Sequence, residues 1–235
     1  MRDDDLPLVA LGAGGAFAAA SLLGRTEARG ASTGTPSVDE PGARVATPAP
    51  ARTATWVFPV PDLGNRRPEI SDGWASRRYD RDGSKVLHLG ADIMFRRQRR
   101  GELVDAYPPG SRHGTAGYFM PDNVLALAAG EGVVTFAAWT ARGFTVRIRH
   151  PEGWTTYYTH LSLLAVAPNQ TVAAGLPIGV IGFDPSDRRR LMHLHFELWR
   201  GTSRSGATNP APYLAAWERR SVASWTPPAR NGGLA

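Results

Sequence analysis

Three short stretches carry side chains that can act together: His88-x-x-x-Asp92, His160 within Tyr158-Thr159-His160-Leu161, and His193-Leu194-His195. The chain has no cysteine, so disulfides, thiolate metal sites and thiol nucleophiles are excluded, and any metal must be held by His, Asp or Glu. A catalytic zinc takes about three protein ligands and keeps a position open, and His, His and Asp are suitable ligands. Two histidines then remain. Such residues take a proton from an activated water, give one to a leaving amine, or stabilise charge on a tetrahedral intermediate. Spacing alone does not say whether His193 or His195 would hold the metal.

Strands must bring these residues together. Leu191 to Leu198 alternates strictly, so an extended strand puts Leu191, His193, His195 and Glu197 on one face and Met192, Leu194, Phe196 and Leu198 on the other. The two histidines then stand roughly 7 Å apart, at about 3.3 Å of rise per residue. His88 and Asp92 on a straight strand would be about 13 Å apart, too far to share an ion, so a bend at Gly90 is required. Gly132 to Trp139, Phe144 to His150 and Trp154 to Leu161 read as strands of an antiparallel meander, separated by connections of hairpin length. In the third of these Trp154, Thr156, Tyr158 and His160 share a face, which places His160 on the side of Tyr158. Gly175, Gly179 and Gly182 mark tight turns between further short strands. His150 reads as structural. His113 reads as an ordinary loop residue in the long, basic, Gly- and Pro-rich stretch from Arg96 to Asp122.

The motif set His88-x-x-x-Asp92, Tyr158-Thr159-His160-Leu161 and His193-Leu194-His195-Phe196-Glu197 resembles the lysostaphin-like zinc metalloendopeptidases, which cut peptide bonds in peptidoglycan. Gly130-Glu131-Gly132-Val133, His150-Pro151-Glu152-Gly153, the three spaced glycines and Asn209-Pro210-Ala211-Pro212-Tyr213-Leu214 support the resemblance, which runs from about Trp56 to Trp217. It implies an all-β fold, a small antiparallel β-sandwich of the duplicated hybrid motif kind with a loop-lined groove. It also implies that His88, Asp92 and His195 bind one Zn2+ and that His160 and His193 are the catalytic pair. Two departures stand out. The stretch after the His-x-x-x-Asp strand, Arg96 to Asp122, is longer than the family's usual connection, and Asp184 to Met192 replaces a small, Gly-rich approach to His193. Both should lie near the groove and bear on substrate preference.

The rest of the chain bounds the setting. Residues 1–23 include an uncharged apolar run from Leu6 to Leu23, an anchor or signal segment by one reading and a helix packed in an assembly by another. Residues 24–55 read as a flexible linker, 56–217 as the peptidase domain and 218–235 as a loose tail. The net charge of +6 and a pI near 10.3 favour an anionic partner such as a cell wall or anionic lipid. No nucleic acid is expected, because the Arg-rich runs accompany neither a recognition helix nor an aromatic platform. The expectation is a zinc-dependent endopeptidase acting on peptidoglycan stems or cross-bridges at the cell envelope. The alternatives are a catalytically silent wall-binding or hydrolase-activating module, and a phage or secretion-apparatus component carrying a wall-opening domain.

Overall fold

The computed structural model describes residues 55–79, 83–97 and 107–222. Fifteen strands and one short helix are formed among them: β1 (Asp62–Leu63), β2 (Pro68–Asp72), β3 (Arg77–Tyr79), β4 (Lys85–Leu87), β5 (Ala91–Arg96), β6 (Tyr118–Phe119), β7 (Leu125–Leu127), β8 (Gly132–Thr140), β9 (Gly143–Arg149), β10 (Trp154–Leu164), β11 (Thr171–Val172), β12 (Pro177–Ile181), β13 (Leu194–Arg200), β14 (Ala207–Thr208), α1 (Ala211–Ala216) and β15 (Ser221–Val222). The apolar segment 1–23, all of the linker 24–55 but its last residue, and the tail from 223 onward lie outside the described residues.

The meander expected from the hairpin spacings is β8–β9–β10, and it continues through β13, β5 and β2, with β11 on its far edge. All of these neighbours pair antiparallel. Past a register shift between Tyr158 and Leu161, the last part of β10 pairs with β12, and β12 with β7. This second group of strands supplies Ala126, Ile178 and Ile181 to the same core as Val146, Tyr158 and Phe196. The described residues thus form the small antiparallel β-sandwich that the motifs imply.

Alternation sets the core. On β13 Leu194, Phe196 and Leu198 are fully buried, as the period of two requires, and β5 answers with Ala91 and Ile93. Each such large apolar side chain contributes roughly 1.5–3 kcal/mol on burial. Tyr158, opposite Phe196, is wholly buried, and its phenolic oxygen accepts from the Ala129 amide at 2.8 Å. Burial pushes its hydroxyl well above the usual tyrosine range, so it acts here as a neutral hydrogen-bonding group.

The segment after Trp217 is not loose at its start. Phe58 N donates to Glu218 O at 2.8 Å, Asp62 N donates to Arg220 O at 2.7 Å, and β15 lies parallel to β1. Trp217 also stacks on Trp56, with ring centroids 5.0 Å apart. The two ends of the domain close against each other, a long-range pairing that local composition could not announce.

Candidate metal centre

The required bend is present at Gly90, between His88 and the start of β5. A Cβ at Gly90 would stand 2.5 Å from the Phe196 carbonyl oxygen and 3.0 Å from His195 Cε1, so only glycine lets the two segments approach this closely. Main-chain bonds from Ala75 N to His88 O (2.8 Å) and from His88 N to Ser76 O (3.0 Å) fix the histidine from the other side. On the sheet, His195 lies in register between Thr159 and Asp92.

The result is a near-equilateral set of donor atoms. His88 Nε2, Asp92 Oδ1 and His195 Nδ1 are each 3.0 Å from the other two, and all three residues are buried. Bonds of about 2.0–2.1 Å to one tetrahedral zinc would separate such atoms by a little over 3 Å, so the set fits the ion. The outer nitrogens support the fit. His88 Nδ1 lies 2.8 Å from the Gly73 carbonyl and His195 Nε2 lies 2.9 Å from Glu197 Oε1. Both partners accept, so those nitrogens donate, and the other nitrogen of each ring is the one turned inward. Two ring nitrogens and a carboxylate oxygen converging on one spot are a donor set that suits a cation.

Burial alone would raise the Asp92 carboxyl, but facing His193, His195 and His88 holds it well below the usual range. For His195 burial works against the cation, and the bonds to Asp92 and Glu197 outweigh it, lifting the imidazole to about 9. A metal ion bound at this set would therefore displace a proton.

His160 and His193 stand beside the set, their ring centroids 4.6 Å apart. Nδ1 of His160 donates to Arg142 O and Nδ1 of His193 to Leu191 O, each at 2.9 Å, so both rings turn Nε2 away from the backbone. His193 Nε2 is 3.6 Å from Asp92 Oδ1, and His160 Nε2 is 3.8 Å from Asp184 Oδ2. Desolvation and the neighbouring His193 push His160 down to about 3, against the pull of Asp184, so the ring is neutral. One expectation needs correction. His160 does not share the side of Tyr158: it has a φ of +67°, at the register shift of β10, and its ring centroid lies 5.8 Å from that of His195 while Tyr158 faces the core. A non-glycine residue in that conformation is strained, and the bulge that turns it cannot be read from alternation.

Glu197, with Trp199 and Arg204 around it, and Arg78 complete the surroundings, and spacing gave no role to any of them. Glu197, fully buried, accepts from His195, from Trp199 Nε1 at 2.7 Å and from Arg204 Nη2 at 2.6 Å. Burial would raise it, and the cationic partners bring it down to about 2. Arg78 Nη2 donates to Asp92 Oδ2 at 2.5 Å. Its role could not be inferred, because β3 and β4 form a hairpin off the main sheet. A cleft of about 230 Å³ opens beside Asp92 and His193, walled by Thr115 and Tyr118 from one unusual segment and by Arg189 and Leu191 from the other.

The remaining histidines stand apart. His150 is held by Glu131 O at 2.7 Å and Thr156 Oγ1 at 2.8 Å, and the Nδ1 of His113 is 3.1 Å from Met120 O.

Residues 111–210 match the model of peptidase family M23. His160, His193 and His195 fall within that stretch, whereas His88 and Asp92 precede it and are joined to it by the strand pairing described above. Among solved structures, the chain is similar to the catalytic domain of the antimicrobial peptidase lysostaphin from Staphylococcus simulans, with 22% identity over 65% of this chain and 94% of that one and a TM-score of 0.46. It is also similar to the SpoIIQ–SpoIIIAH pore-forming complex, at 20% identity, 68% and 90% coverage and a TM-score of 0.49. A zinc-containing peptidase from Vibrio cholerae matches at 21% identity over 66% of this chain and 39% of that one, with a TM-score of 0.45. The match to peptidase family M23 thus spans β6 to β14 of this chain and takes in three of the five site residues.

Proposed function

We propose that this domain is a zinc-dependent endopeptidase that hydrolyses peptide bonds in peptidoglycan stems or cross-bridges. The observation that carries the reading is the convergence of His88 Nε2, Asp92 Oδ1 and His195 Nδ1, mutually 3.0 Å apart, beside a second histidine pair. His88, Asp92 and His195 would hold the ion, which when bound supplies Lewis acidity toward water and toward the scissile carbonyl. The chain's own residues do the rest. His160 and His193, each anchored through Nδ1, keep Nε2 turned from the backbone beside the donor set, where one accepts a proton from the attacking water and returns it to the leaving amine. The other stabilises charge that develops on the tetrahedral carbon's oxygen. Asp184, 3.8 Å from His160, stabilises the imidazolium while the proton is in transit. The intact donor set argues against a silent wall-binding module.

The basic charge of the chain suits an anionic wall, and the apolar run of residues 6–23 suits attachment at the cell envelope. Cell fractionation of the full chain with and without residues 1–23 tests the location. For the chemistry, the purified protein is incubated with peptidoglycan of several wall types, with and without a chelator, and new termini are identified by mass spectrometry. Chelator-sensitive new amino termini establish the activity and name the bond. Zinc bound with no product from any wall type overturns it.

A further inference from the structure

Arg78 lies on β3, opposite Val86 of β4, and reaches across to the metal set from outside the family-matched stretch. One of its two amino groups, Nη2, donates to two carboxylates, Asp92 Oδ2 at 2.5 Å and Asp72 Oδ2 at 2.6 Å. Asp72 and Asp92 are register partners on β2 and β5, so without a cation between them two like charges would stand directly opposite each other. The contact is made although Arg78 Nε is left buried with no hydrogen-bond partner. The guanidinium is therefore held by what it does at Nη2.

The consequence falls on Asp92, whose two oxygens have different duties. Oδ1 faces His88 and His195, and Oδ2 is taken by Arg78. A carboxylate with both oxygens free can offer a metal ion one or both of them. We propose that Arg78 is a positioning residue that confines Asp92 to one donor oxygen, and so keeps open the coordination position that water and substrate need. The inference rests on the metal reading above and adds a determinant of coordination number to it. Arg78 touches no reacting atom; it acts through Asp92.

The test uses the full chain loaded with Co(II), whose visible absorption is intense when four-coordinate and weak when five- or six-coordinate. The wild-type protein is expected to give the intense spectrum. Arg78→Gln is expected to keep the metal but lose the intense bands, as Asp92 turns both oxygens to the ion, and to lower kcat about 10–100-fold with little change in KM. Arg78→Lys, which retains a cation able to reach Oδ2, is expected to restore the bands in part. Should the charge pair left behind prevent folding, Arg78→Gln combined with Asp72→Asn removes the repulsion and carries the same expectation. Wild-type bands in a folded variant lacking Arg78 overturn the role of Arg78 alone. Loss of metal together with thermal stability in both Arg78→Gln and Arg78→Lys overturns it in favour of a simple hairpin anchor. A wild-type protein that binds no cobalt overturns the metal reading itself.

Discussion

His195 and His150 are both buried histidines on the same sheet system, one at its centre on β13 and the other at the end of β9, yet they hold protons in opposite ways. Burial lowers the affinity of each for a proton. Around His150 the partners are a carbonyl and a threonine hydroxyl, and burial brings the ring down to about 4. Around His195 the partners are Asp92 and Glu197, and the ring rises to about 9. The sign is set by the charge of the acceptors, since depth is shared. A site built to receive a cation announces itself through the carboxylates that face its histidines.

The largest effect should come from removing the carboxylate that sets the contrast. Asp92→Ala takes away a ligand atom and one of the two acceptors of His195, so zinc content measured by atomic absorption should drop to background and peptidase activity with it. His88→Ala should behave the same way. Stoichiometric zinc in either variant would dissolve the distinction between the two regions. Next comes the histidine pair beside the metal set: His160→Ala and His193→Ala should each lower kcat about 10²–10⁴-fold while zinc stays bound. Full activity in both variants would remove their assigned role.

The structural histidine sharpens the contrast through pH. Its folded pKa lies near 4, below the usual value of 6.5, so the unfolded chain takes up the proton first as pH falls. Stability from the neutral ring is complete above pH 6.5 and declines as pH drops toward 4, by roughly 3 kcal/mol at about 1.4 kcal/mol per pH unit. Denaturant unfolding at a series of pH values should show this decline in the wild-type chain. In His150→Gln the corresponding part of the slope should be missing. Identical slopes would mean that the ring does not stay neutral in the folded state.

Much of this arrangement was legible before any coordinates, and the reasons are physical. Period-two alternation on Leu191 to Leu198 separates Leu194, Phe196 and Leu198, which enter the core, from His193, His195 and Glu197, because a one-residue slip would exchange the two faces together. The separation of His88 from Asp92 required a bend, and the glycine between them marked where. What escaped was set by irregularity or by distance along the chain. The positive φ at His160 has no signature in a histidine, and it reverses the face that alternation assigns. The pairing of β1 with β15 joins segments at opposite ends of the domain. Arg78 and Arg204 are arginines among many, and only the fold shows that each ends on a carboxylate of the metal set or its support.

Glu197 offers the finest test of the idea that charge, and not depth, separates the two regions. It is buried, kept ionised by His195 and Arg204, bonded to Trp199, and supports His195 from the side away from the donor set. Glu197→Gln keeps the shape nearly unchanged and removes the charge. Four donor nitrogens from three residues then face an amide that has a single acceptor oxygen, and the imidazole loses one of the two partners that raise its basicity. Zinc affinity, measured by competition with a chromophoric chelator, should weaken about 10–100-fold. The direction follows because a less basic His195 is a poorer ligand, whereas its geometry is still held by the strand register with Asp92 and Thr159. Glu197→Asp should lie between the two, since the charge is kept and only the reach to His195 is shortened. If Glu197→Gln binds zinc as tightly as the wild type, the buried carboxylate serves Arg204 and Trp199 alone, and Asp92 by itself accounts for the difference between His195 and His150.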